Sequence, residues 1–177
     1  MAIFKKKKKV YKKTFNSQDI KRILLNEFRY NKNYTYACTE CGRYSADVLL
    51  YNIFLIEIEV KCSLSDFYAD FRKKKHLLYL RERSNAGSYS KNMIPNKFYF
   101  AVSDKLYEPV NNFLKDNPQF NKYGIIVVYP SEKISIKKSA KLLHSESPSQ
   151  MMLDIMIRRM SSEICVLYNK LNEETST

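Results

Sequence analysis

The pattern of apolar residues along this 177-residue chain predicts an α/β fold, one domain with a central mixed β-sheet flanked by helices. Two observations carry that reading. Short alternating or wholly apolar runs (ADVLLY, IEIEVK, KFYFAVS, GIIVVYP) read as strands, and stretches with apolar residues three and four apart stand between and around them. An apolar share of 45% is enough to fill the core of one such domain.

The elements follow in order. Asn16 or Ser17 caps a helix that runs to about residue 28, with Asp19 in the first turn, where a carboxylate meets unpaired amides. At about 100° per residue, Ile20, Ile23, Leu24 and Glu27 share a stripe, which aims the Glu27 carboxylate towards apolar company. Strands are predicted at 34–38, 46–51 and 53–61, with Gly42 marking one turn and Asn52 a tight break. Ser63 and Asp66 resemble a capping box that opens a helix to about residue 83. Residues 84–96 are rich in turn formers and read as a long loop. A strand follows at 97–103, a short helix from Pro109 to about Lys115, an apolar strand at 124–130, and a shorter strand around Ile134 and Ile136. After a polar linker at 141–150 comes a helix over 151–171. Its stripe of Leu153, Ile157, Met160, Ile164, Leu167 and Leu171 is shorter than a coiled coil wants, so it is expected to dock on the body.

Composition narrows the function. No apolar run reaches the roughly 18 residues that span a bilayer, and no apolar stretch of the signal-peptide kind follows the N-terminal lysines, so a cytoplasmic protein with no membrane partner is expected. The host cytoplasm is expected if the chain is phage-encoded. With only three glycines, neither a phosphate-binding loop nor a dinucleotide fingerprint can be written, which argues against a nucleotide cofactor. Four cysteines (Cys38, Cys41, Cys62, Cys165) need no disulfide framework. The Cys38–Cys41 CxxC lacks the second ligand pair of a zinc site and reads as two small residues in a strand or turn.

The net charge is +13; seven lysines and no acid stand in residues 1–13, and the rest carries +6. Such a surplus favours a polyanion, since each neutralised phosphate releases condensed counterions. The tail, read as disordered, suits either an electrostatic arm or a solubility feature.

The strand at 53–61 holds the chemistry. Ile56, Ile58 and Val60 face one way, and Glu57, Glu59 and Lys61 the other. Asp47, on the face of Leu49 and Tyr51, lies one tight turn away and is expected beside that strand. One reading is an exposed sheet face with cross-strand ion pairs. The other is a metal site: Mg²⁺ is held by one or two carboxylates plus water and phosphate, and Asp47 and Glu59 supply those carboxylates. Lys61 would then orient or deprotonate the attacking water and offset charge on the phosphate.

The segments RYSADVLL, IEIEVKCSLSDFYADFRKKKH, NKFYFAVS and YGIIVV resemble the PD-(D/E)xK nuclease superfamily, and within it the MmcB-like branch of DNA repair nucleases and their phage relatives. The resemblance covers roughly residues 43–128 and rests most on the unbroken block from Ile58 to Asp70. It implies a restriction-endonuclease-like core and a Mg²⁺- or Mn²⁺-dependent deoxyribonuclease, with Asp47, Glu59 and Lys61 catalytic. It also implies a helix-borne carboxylate as a further metal ligand, for which Glu27 fits and Glu40 is a rival. Glu57 and Asp66 are expected to support the metal-binding residues, and Arg43, Arg72, Lys73, Lys74, Lys75 and Lys91 to bind DNA, with Arg81 and Arg83 extending the basic surface. Where the family's motif has a proline before the acid, this chain has Ala46. A DNA-binding accessory protein on the same fold without turnover is the alternative.

Overall fold

The computed structural model describes residues 15–42, 45–80 and 91–175. The lysine tail, Arg43, Arg81 and Arg83 lie outside them. Helix α1 (Ser17–Leu25) opens on a capping box: the Asn16 side chain accepts from the Asp19 amide at 2.8 Å, and Asp19 accepts from the Asn16 amide at 3.1 Å. It widens into a π-helical stretch, Asn26–Asn31. Strands β1 (Tyr36–Cys41), β2 (Ala46–Tyr51) and β3 (Leu55–Lys61) form an antiparallel meander. Two short helices, α2 (Leu64–Asp70) and α3 (Lys74–Leu80), lead towards β4 (Lys97–Ser103), which lies parallel to β3. Helix α4 (Tyr107–Asp116) carries the chain to β5 (Gly124–Val128), parallel to β4; β6 (Ile134–Lys138) returns antiparallel, and α5 (Gln150–Thr175) follows. The six strands stand in chain order in one mixed sheet, as the α/β reading expects.

Period-two alternation divides the core between the two faces. Ile56, Ile58 and Val60 of β3, with Val48, Leu50, Tyr99, Ala101, Ile126 and Val128, pack against Ile20, Ile23, Leu24 and Phe28 of the first helix. The opposite face sets Phe98, Phe100, Val102, Ile125 and Val127 against Phe67, Tyr79, Val110, Leu114 and Tyr123. A third cluster joins Cys38, Cys41, Leu49 and Leu55 to Met152 and Met156 of α5. Gly124 has no side chain because none fits: a Cβ there would collide with the Tyr99 ring and the Ala140 amide.

Several boundaries differ from expectation, each for a local reason. The strand expected at 34–38 lies at Tyr36–Cys41, and Gly42 follows it at φ +81, a conformation that favours glycine. Residues 52–54 form the β2–β3 connection, so β3 starts at Leu55; its amide donates to Asn96 Oδ1 at 2.8 Å. The single helix expected after Ser63 starts as predicted, with Ser63 Oγ accepting from the Asp66 amide, but breaks at residues 71–73. There the backbone tightens: Arg72 N–H donates to Ala69 O and Lys73 N–H to Asp70 O. Helix α5 docks as expected but by only part of the expected stripe, with Met160 packed on the third cluster. Met152 and Met156 are buried, Arg159 Nε donates to Thr39 O at 2.8 Å, and Ile157, Ile164 and Leu167 are exposed. The reason is the small-residue pocket offered by Cys38, Cys41 and Ala46, which two flexible methionines one helical turn apart can fill.

Candidate active site

The charges of β3 are not on an exposed face. Glu57, Glu59 and Lys61 are 4%, 2% and 3% accessible, which rules out the reading of solvated cross-strand pairs. The break between α2 and α3 closes over them, and three carboxylates meet three ammonium groups beneath it. Lys61 Nζ lies 3.1 Å from Glu59 Oε2 and 2.8 Å from Asp70 Oδ1. Lys73 Nζ bridges Asp70 Oδ1 at 2.5 Å and Glu59 Oε2 at 3.3 Å. Lys75 Nζ bridges Glu57 Oε1 at 2.9 Å and Glu59 Oε1 at 2.5 Å, and Tyr79 O–H donates to Glu57 Oε2 at 2.7 Å. His76 Nε2 meets Asp70 Oδ2 at 2.8 Å, and its Nδ1 meets the Tyr123 hydroxyl at 2.9 Å.

Charges buried this deeply persist because they are paired and hydrogen-bonded. Burial pushes the Glu57 carboxyl up, and Lys75 and Tyr79 offset only part of that. Burial would also raise Asp70, but the bond from His76, the charge of Lys75 and the bonds from Lys61 and Lys73 hold it below the usual carboxylate range. Burial pulls Lys75 and Lys73 down, yet their carboxylate neighbours outweigh it and raise both.

Asp47 stands just before the first β2–β3 pair, Val48–Ile58, where the two strands part. Its Oδ2 accepts from the Val60 amide at 2.8 Å, and its Oδ1 lies 2.8 Å from Lys21 Nζ. Lys21 also pairs with Glu40, so one buried ammonium of α1 joins the two acids. Burial pulls Lys21 down, but the bonds to Asp47 and Glu40 prevail and raise it. Asp47 thus lies beside β3, as expected, but its carboxylate is bonded to the Val60 backbone amide and to Lys21 of α1 rather than to Lys61.

Three expectations are corrected. Glu27 does not join this site: the π-helical bond from Lys32 N–H to Glu27 O at 3.0 Å brings Asn31 and Lys32 back over it, and its oxygens lie 2.7 Å from Asn31 Nδ2 and 3.5 Å from Lys32 Nζ. Glu40 is the acid that shares a cation with Asp47. Lys75 cannot touch DNA, because its side chain is wholly buried between Glu57 and Glu59. Asp66 is only loosely associated: it is exposed and 3.9 Å from Lys61 Nζ. Arg72 and Lys74 are exposed and Lys91 is half-buried, so these three remain open to a polyanion, whereas the ammonium of Lys73 is engaged by Asp70 and Glu59.

Sequence reasoning placed none of Lys21, Asp70, His76, Tyr79 or Tyr123 in the site. A signal existed for one of them, since Asp70 stands four residues after Asp66 on a helix face. The CxxC pair is buried beneath α5, where Cys38 Sγ meets Leu49 O at 3.9 Å; the closeness of the two thiols raises Cys38 and lowers Cys41. Among the described residues no three His, Cys, Asp or Glu side chains gather in the manner of a metal site. Asp47 and Glu59 nevertheless fit a hard divalent cation chemically, as two carboxylates now satisfied by ammonium groups that such an ion can displace. Among the described residues no helix is long and apolar enough to cross a membrane. No protein family, curated protein or solved structure matches the chain.

Proposed function

We propose that the protein is a metal-dependent deoxyribonuclease of the PD-(D/E)xK kind, in which Asp47, Glu59 and Lys61 act together on a phosphodiester. One observation carries the reading: Asp47 is bonded to β3 at Val60, between Glu59 and Lys61, with the lysine ammonium 3.1 Å from the glutamate. Exposed Arg72 and Lys74 at the α2–α3 break offer contacts to the phosphate backbone beside it. Asp47 and Glu59 would hold Mg²⁺ or Mn²⁺, which supplies Lewis-acid stabilisation of charge on the phosphate when bound. Lys21 must then release Asp47, and half-exposed Lys73 must release Glu59. Lys61 donates to the attacking water and sets a positive charge beside the phosphate. DNA repair, recombination or phage DNA processing would use such an activity.

A second reading, a DNA-binding accessory protein without turnover, draws on the closed state of Glu59, both of whose oxygens already accept from lysines. Cleavage of labelled linear, nicked, flapped and four-way DNA, with Mg²⁺, Mn²⁺ or excess EDTA, separates the two. Asp47→Ala, Glu59→Ala and Lys61→Ala should each abolish metal-dependent cleavage. Cleavage that survives EDTA or these substitutions refutes the nuclease proposal; tight binding with no cutting in Mn²⁺ supports the accessory protein.

A further inference from the structure

Lysine has a long, flexible stem, and an ammonium that must meet an attacking water needs something to hold it. Glu59 alone is a poor holder, because the proposed mechanism asks its carboxylate to bind a cation. Asp70 is better placed. It is completely buried at the end of α2, accepts from Lys61 Nζ at 2.8 Å, and is no part of the β3 pair. Its other oxygen is fixed by His76 Nε2 at 2.8 Å, and His76 is fixed by the Tyr123 hydroxyl at 2.9 Å and by stacking on Phe71, 5.3 Å between centroids. With Asp70 ionised, His76 donates to it from Nε2, and its Nδ1 pairs with the hydroxyl of Tyr123, whose phenol stays protonated because burial raises it. Each of these polar atoms has a partner, and Tyr123 ties the series to the segment just before β5.

We infer that Asp70, oriented by His76 and Tyr123, is the positioning residue for Lys61, holding the ammonium in place when Glu59 turns to another cation. The inference rests on the nuclease reading for its purpose, but the contact itself can be tested without it. The charged groups around Lys61 are Glu59, Asp66 and Asp70, with Lys73 sharing Asp70 Oδ1 and Glu59 Oε2 with it.

The test combines kinetics with chemical protection. Asp70→Asn keeps the shape and removes the charge; it should lower kcat by roughly tenfold to a hundredfold, the scale on which a catalytic group displaced by about 1 Å loses rate. KM for DNA should stay within roughly threefold, since no phosphate contact is removed; the metal concentration for half-maximal cleavage should rise, because Lys73 is then left to Glu59 alone. Tyr123→Phe, which deletes one hydroxyl and keeps the packed ring, should lower kcat in the same direction by less. Met156→Ala, which destabilises the separate cluster beneath α5, should keep kcat. In parallel, acetylation of Lys61 by a small acylating reagent, read by peptide mass spectrometry, should be slow in the buried wild-type lysine and faster in Asp70→Asn, where one of its carboxylate partners is lost. Unchanged Lys61 protection in Asp70→Asn overturns the inference, as does an equal fall of kcat in Met156→Ala. If the wild type cuts no DNA, the nuclease reading fails, and the acetylation rates alone decide whether Asp70 holds Lys61.

Discussion

Replacing Lys75 by methionine tests the buried charge network at its most enclosed point. Its ammonium stands 2.9 Å from Glu57 and 2.5 Å from Glu59, and the three carboxylates Glu57, Glu59 and Asp70 are matched by Lys61, Lys73 and Lys75. Methionine fills nearly the same volume without charge, so the cavity contribution is small and one buried negative charge is left over. Glu59 keeps Lys61 and Lys73, whereas Glu57 is left with the neutral Tyr79 hydroxyl. Breaking a buried pair from one side costs about 3–5 kcal/mol. With a urea m-value of about 2 kcal/mol/M, the unfolding midpoint should fall by about 2 M at unchanged m. Lys74→Met, at the exposed neighbouring position, should stay within about 0.5 kcal/mol. The destabilisation should also depend on pH. Burial already raises Glu57, and removing Lys75 raises it further; a carboxyl whose folded pKa lies above its unfolded value contributes stability at low pH that is lost as pH rises. The deficit of Lys75→Met against wild type should therefore be smallest near pH 5 and grow towards pH 8, and adding Glu57→Gln should recover much of it. Circular dichroism during urea unfolding at the two pH values measures all of this. Equal midpoints for Lys75→Met and Lys74→Met would refute the bridge, and a deficit independent of pH would refute the charge argument.

Further outcomes follow from other parts of the molecule. Glu40→Gln should raise the Mn²⁺ concentration for half-maximal cleavage by roughly tenfold, because Lys21 is then left to Asp47 alone and competes harder with the metal; Glu27→Gln, at a carboxylate held by Asn31 and Lys32, should not change it. Gly124→Ala should cost about 1–3 kcal/mol by overpacking against Tyr99, read as a lowered thermal midpoint. Deleting residues 1–13 should flatten the slope of log K against log salt on duplex DNA by about 0.9 for every phosphate that the tail neutralises. Unchanged affinity and slope would make the tail a solubility feature.

The alternation in IEIEVK already separates Ile56, Ile58 and Val60 from Glu57, Glu59 and Lys61, because side chains of a strand project with period two wherever the strand lies. Strand β2 and the caps at Asn16 and Ser63 are equally local and are legible for the same reason. Local pattern does not say how deeply a face is buried or which distant cations meet it. In sequence Lys75 is one more member of a basic run, and only the break at residues 71–73 turns it inward under β3 while Arg72 and Lys74 stay outside. Glu27 has the right helical phase for the site, but an i+5 bond from Lys32 gives it nearer partners. Lys21 on the first helix reaches Asp47 on the second strand, and His76 reaches Tyr123 across 47 residues of sequence. Such pairings are chosen by whole-chain packing, since a buried charge goes to whichever partner the fold brings within hydrogen-bond reach.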